Sequence, residues 1–120
     1  MAPFRQALEA IVARVPETQM VMVMGTDAIP IDRLVVRSEP NLEAVAAEYT
    51  TLLRASVQAA ADTGLGGLRE LLVVTEKMAA ILVSITPEYY LFAALAPGAL
   101  MGRARFALRA ASLRLEREFV

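Results

Sequence analysis

The chain is 120 residues long, 57% hydrophobic and 21% charged, enough for one compact domain with a real core and too little for two, so a single domain over residues 1–120 is expected. Twelve basic residues against thirteen acidic ones nearly cancel, so no global field calls for nucleic acid or an anionic membrane, and any partner is expected to be a protein. With neither Cys nor His, disulfides, thiolate nucleophiles, Ser-His or Cys-His catalysis and nearly every structural zinc site are excluded.

At the start of the chain Phe4, Ala7, Leu8, Ile11, Val12 and Val15 fall at helical spacing, with Pro3 suited to a first turn and Pro16 to a stop. Arg5, Glu9 and Arg14 interrupt this segment, so it reads as an amphipathic helix and not as a signal peptide or a membrane span. A reducing cytoplasm is the expected location.

The stretch Gln19 to Met24 is apolar on both alternate faces, the pattern of a central strand covered on both sides. Gly25, Thr26, Asp27 and Ala28 break the run, and Ile29 to Val36 resumes a strand pattern interrupted by Pro30 and Asp32. This predicts a hairpin whose second strand lies at an edge. Glu39-Pro40-Asn41 is expected to end that strand, and Asn41 to cap a helix running to about Ala61, before the Gly64-Leu65-Gly66-Gly67 connector.

Leu68 to Glu76, Met78 to Ile85 and Tyr89 to Ala96 form three further apolar runs separated by turn residues, which predicts a meander. After Pro97-Gly98, the residues Leu100, Ala104, Ala107, Leu108, Ala111 and Leu115 make one apolar stripe of a last helix, with arginines over much of the rest. Helix, hairpin, long helix, three-stranded meander and helix together predict an α+β three-layer sandwich around a five-stranded, mostly antiparallel sheet.

This order, with MVMVMGTDAIPID following an amphipathic helix, resembles the Roadblock / dynein light-chain family and its bacterial MglB-like members, over nearly the whole chain. Gly25, Asp27, Ile29, Pro30 and Ile31 follow the family's hairpin pattern, and Ala28 replaces its usual Gly. Because Ala enters a left-handed turn less readily than Gly, a different turn geometry is possible here. The resemblance implies a profilin-like strand order of 2-1-5-4-3, the long helix on one face and the terminal helices on the other. It also implies homodimers that pack the long helices antiparallel and join the third strands into one sheet.

The residues support self-association independently. Between Leu42 and Ala61 the only charged residues are Glu43, Glu48 and Arg54, fewer than a one-sided surface helix carries. LRELLVVTE would moreover be an exposed apolar edge in a monomer. The dimer interface is therefore expected to involve Leu42, Val45, Ala46, Tyr49, Leu53, Leu71 and Val73. A monomer with a tolerated alanine-rich surface is the alternative.

The resemblance further implies a regulatory adaptor, since MglB-like members bind a Ras-like small GTPase and stimulate its hydrolysis. Glu43, Ala47, Thr50, Thr51, Arg54 and Gln58, expected to face away from the sheet, are then the candidate partner-binding residues. A dimer can act by fixing the GTPase's own catalytic groups, so Arg54 is not nominated as an arginine finger. Phe106 and Leu113, seven residues apart on the last helix and beside Arg109 and Arg117, form a candidate second partner-binding ridge. The competing reading packs Phe106 against the opening helix.

Met20, Met22 and Met24 read as core filling more than as an adaptable binding surface. Asp27 and Asp32 read as turn and edge residues, and Tyr89 and Tyr90 point to opposite faces of one strand. The glycine connector lacks the Lys-Ser/Thr of a phosphate loop. No catalytic residue, metal or cofactor is expected, and an enzyme is disfavoured by this omission. The remaining alternatives are a small-ligand sensory domain or a plain scaffold subunit without a GTPase partner, although the interior offers few convergent polar groups.

Overall fold

The computed structural model describes residues 2–37 and 41–119. Helix α1 spans Ala2–Arg14, strands β1 and β2 span Thr18–Gly25 and Pro30–Val35, and helix α2 spans Leu42–Asp62. Strands β3, β4 and β5 cover Glu70–Val74, Ala79–Thr86 and Tyr89–Leu95, and helix α3 covers Met101–Glu116 before a short 3-10 turn at Arg117–Phe119. All strand pairings are antiparallel and the sheet order is β2-β1-β5-β4-β3, so β2 and β3 form the edges, as expected.

Period-two alternation in the central strands builds two cores on one sheet. Val21, Val23, Ile81, Val83, Leu91 and Ala93 turn toward α1 and α3. Met20, Met22, Met24, Leu82, Tyr90 and Phe92 turn toward α2. The three methionines of β1 are at most 2% exposed, which makes them core residues with no binding surface to offer.

Glu39 and Pro40 lie outside the described residues, but the capping role of Asn41 is visible: its side-chain oxygen accepts the Ala44 amide at 3.2 Å. At the β1–β2 turn the Ala28 amide donates to the Gly25 carbonyl and Asp27 accepts the Ile29 amide. Ala28 itself adopts the left-handed φ of 69°, so the alanine takes the strained conformation that a glycine would occupy more cheaply. A side chain at Gly25 would meet the Asp27 carboxylate at 2.5 Å, so that carboxylate, which accepts the Ile29 amide, would have to shift.

One expectation for α3 is corrected. Leu100 is not part of the buried stripe but the residue preceding the helix, extended at φ −77° and ψ 102° and 58% exposed. Ser112, nearer the other end of the helix, joins the buried stripe instead, and its hydroxyl donates to the Ser84 carbonyl at 2.7 Å.

Candidate functional site

Helix α2 lies on the sheet through a narrow seam. Of its 21 residues only Leu42, Ala46, Thr50 and Leu53 are buried, a spacing of four, four and three that keeps one line of side chains on the sheet. After Leu53 no residue of α2 is buried.

Within the seam Thr50 donates its one hydroxyl proton to the Ala46 carbonyl at 2.8 Å. The bond between Thr50 Oγ1 and the Tyr90 hydroxyl is therefore donated by Tyr90. Burial pushes the Tyr90 hydroxyl above its ordinary 10.0, against the smaller opposing influence of this bond and of Arg54. The pair pins the middle of α2 to β5.

The seam corrects part of the expected surface. Leu42, Ala46 and Leu53, expected at a dimer interface, are at most 5% exposed and belong to the protomer's own core. Val45, Tyr49, Leu71 and Val73 are half-buried around the same cluster, on its rim. Thr50, expected on the partner-facing side, is fully buried because it falls in the seam. Sequence periodicity misses this: with so many alanines and apolar residues, α2 has no polar face to reveal its phase.

The structure sorts the rest of α2 into two flanks. On one flank Glu43 pairs with Arg33 of β2 at 2.7 Å and Arg54 donates to the Thr26 carbonyl at the β1–β2 turn. Ala47, Thr51 and Gln58 are exposed, and Gln58 bonds Asp62 one turn on. On the other flank Val45 and Tyr49 overhang β3, where with Val73 and Met78 they line a hollow of about 180 Å³. Leu52, 41% exposed, was not foreseen, and by helical spacing it continues this flank as the i+3 neighbour of Tyr49. Beyond it lies the free edge of β3, whose Leu71 and Val73 face the α2 side, while the exposed Leu72 and Val74 pair with Ile81 and Ala79 and so point to the opposite face of the sheet. Outside the seam, the α2 residues of the expected partner-binding set and those of the expected dimer set thus lie on different flanks of the helix.

The opposite face of the sheet holds the ridge on α3. Phe106 and Leu113 are 58% and 68% exposed, so Phe106 does not pack on α1. Phe119 takes that place, 5.4 Å from Phe4 and stacked at 4.2 Å on Tyr89. Arg105 and Arg109 converge on Glu70 at the start of β3, at 2.7 and 3.7 Å.

An open groove of about 780 Å³ runs along the end of the sheet, bordered by Val57, Leu65, Leu68, Tyr89 and Leu113. Asp27 and Asp32 accept neighbouring backbone amides, as turn and edge residues do. Among the described residues no helix is long and apolar enough to cross a membrane.

Solved structures share this architecture. The gliding protein MglB from Thermus thermophilus superposes with a TM-score of 0.86 at 15% identity, covering 97% of this chain and 87% of that one. A Roadblock/LC7 domain from Streptomyces avermitilis gives 0.83 at 14%, with 95% of each chain covered. MglC from Myxococcus xanthus gives 0.68 at 29%, over 97% and 98%. No curated protein matches the chain. The profile of the Roadblock/LC7 domain matches residues 6–96, from α1 through β5, and with the sheet order and two-faced core described above, the chain belongs to the Roadblock/LC7 domain family.

Proposed function

We propose that this protein is a non-enzymatic homodimer whose paired α2 helices form a platform for a Ras-like small GTPase. The observation that carries the reading is the narrow seat of α2. Four of 21 residues are buried, while Val45, Tyr49 and Leu52 stand beside an unpaired β3 edge. A helix flank and a strand edge that are both apolar and adjacent suit an isologous contact, in which each closes the other's open surface.

With the Val45 and Tyr49 flank given to the second copy, the flank of Glu43, Ala47, Thr51, Arg54 and Gln58 stays accessible for the GTPase. Arg54 is tied to the Thr26 carbonyl, so its part is to hold the platform's shape and not to reach into a nucleotide site. Binding would act by ordering the GTPase's own catalytic groups.

Light scattering on the protein alone, and with a candidate GTPase loaded with GDP or a GTP analogue, tests the reading. A particle of about 26 kDa, twice the 13.0 kDa chain, that grows only with the GTP-analogue form is the expected result. A dimer indifferent to both forms leaves a plain scaffold. A monomer indifferent to both overturns the proposal.

A further inference from the structure

The platform reading leaves α3 unused, yet α3 carries the most polarised charge in the chain. Residues 101–120 hold five arginines against Glu116 and Glu118, whereas residues 1–100 hold seven basic and eleven acidic residues. A positive helix thus stands on an otherwise acidic molecule, and charge of one sign collected on one element attracts a partner of the other. The family profile ends at residue 96, before α3 begins.

That face has a defined relief. Ala104, Ala107, Leu108, Ala111, Ser112 and Leu115 are turned to the core, and at 3.6 residues per turn Phe106 and Leu113 fall on the opposite side. Two turns separate them, roughly 10 Å along the axis at 1.5 Å per residue. Ala110 and Gly102 beside them add little bulk. Arg103, Arg114 and Arg117 flank the ridge on one side and enter no ion pair among the described residues. The other flank is different, because Arg105 and Arg109 are engaged by Glu70.

We infer that the outer face of α3 docks an acidic amphipathic helix of another protein, whose apolar side chains straddle Phe106 and Leu113 and whose carboxylates meet Arg103, Arg114 and Arg117. An i, i+3 or i+4, i+7 anchor pattern on the partner matches the two-turn spacing of the ridge. A second copy of this chain is a poor occupant, since an antiparallel α3 pair would set Arg103 of one copy against Arg114 and Arg117 of the other. An anionic bilayer fits less well too. Only two apolar side chains project from the ridge, too few to anchor the helix in a lipid layer, and Glu116 on the far flank would face the lipid phosphates.

The inference does not depend on a GTPase partner and is tested without one. The probe is a synthetic peptide of roughly twenty residues, with leucines at i, i+4 and i+7 and glutamates on their flanks. A lysine-for-glutamate peptide and phosphatidylserine vesicles serve as comparisons. Amide chemical shifts and calorimetry on the full chain are expected to show binding confined to α3 and weakened by added salt. Affinity should drop at least about tenfold with Phe106→Ser or with Arg114→Glu plus Arg117→Glu, the lysine peptide should not bind, and circular dichroism should show both variants folded. Absent α3 shifts at millimolar glutamate peptide, equal binding of the lysine peptide, indifference to Phe106→Ser in the folded variant, or displacement of the peptide by vesicles would each overturn the inference.

Discussion

Single residues tie α2 to the sheet, and their substitutions separate by what they leave behind. Tyr90→Phe removes a donor while Thr50 keeps its bond to the Ala46 carbonyl. Thr50→Val leaves the buried Tyr90 hydroxyl only the weak thioether acceptor of Met24, at 3.5 Å. An unsatisfied buried group costs about 1–3 kcal/mol and a well-matched deletion less, so urea unfolding is expected to rank Thr50→Val as the more damaging change. The raised hydroxyl adds a pH signature. A folded-state value above the unfolded one means that the protonated form is favoured by folding, so this contribution is complete below about pH 10 and is lost as pH climbs through the raised value. Wild-type stability should therefore fall more steeply than that of Tyr90→Phe above about pH 10. At the hairpin, Ala28 at φ 69° makes Ala28→Gly a stabilising substitution by about 1 kcal/mol, readable as a higher denaturation midpoint.

At the scale of elements, α2 and β3 share an uncovered margin, and the prediction concerns that margin as a unit. Leu52→Glu places a charge at a position 41% exposed in the protomer, where it should leave the fold intact. Set against a second α2, the same charge is desolvated without a partner. Sedimentation is expected to show the variant as a folded monomer at concentrations where the wild type is a dimer. An unchanged dimer would move the interface to another face. The element contrast with α3 is instructive: both helices expose apolar side chains, but those of α2 stand among mostly small or uncharged neighbours, with Glu48 and Arg54 the nearby charges, and those of α3 among arginines. The first suits close approach of a like helix, the second an unlike and acidic one.

For the molecule as a whole, the self-association proposed above would appear in the energetics of unfolding. The protomer has a Cα radius of gyration of 13.2 Å, close to what its length requires, so its own core is already compact. Association then adds stability by mass action, and the melting temperature should rise with protein concentration for the wild type and stay flat for Leu52→Glu. A melting temperature independent of concentration across several orders of magnitude would count against the dimer.

How much of this was legible follows from which residues carry a signal. Alternation in QMVMVM and in the three later apolar runs, the proline and glycine breaks, and Asn41 before Leu42 determined by themselves the eight elements and the faces of the central strands. Local chemistry is enough there, because side-chain direction along a strand and the capping of a helix are set by near neighbours. The phase of α2 was not legible: alanine, valine, leucine and threonine surround the helix, so only contact with Tyr90 and the methionines of β1 decides that Thr50 is buried and Leu52 is not. Phe106 likewise could have served α1 until Phe119 proved to occupy that place. Rotation of a helix about its own axis is chosen by the surface it lies on, and that surface, assembled from β1, β4 and β5, exists only once the chain has folded.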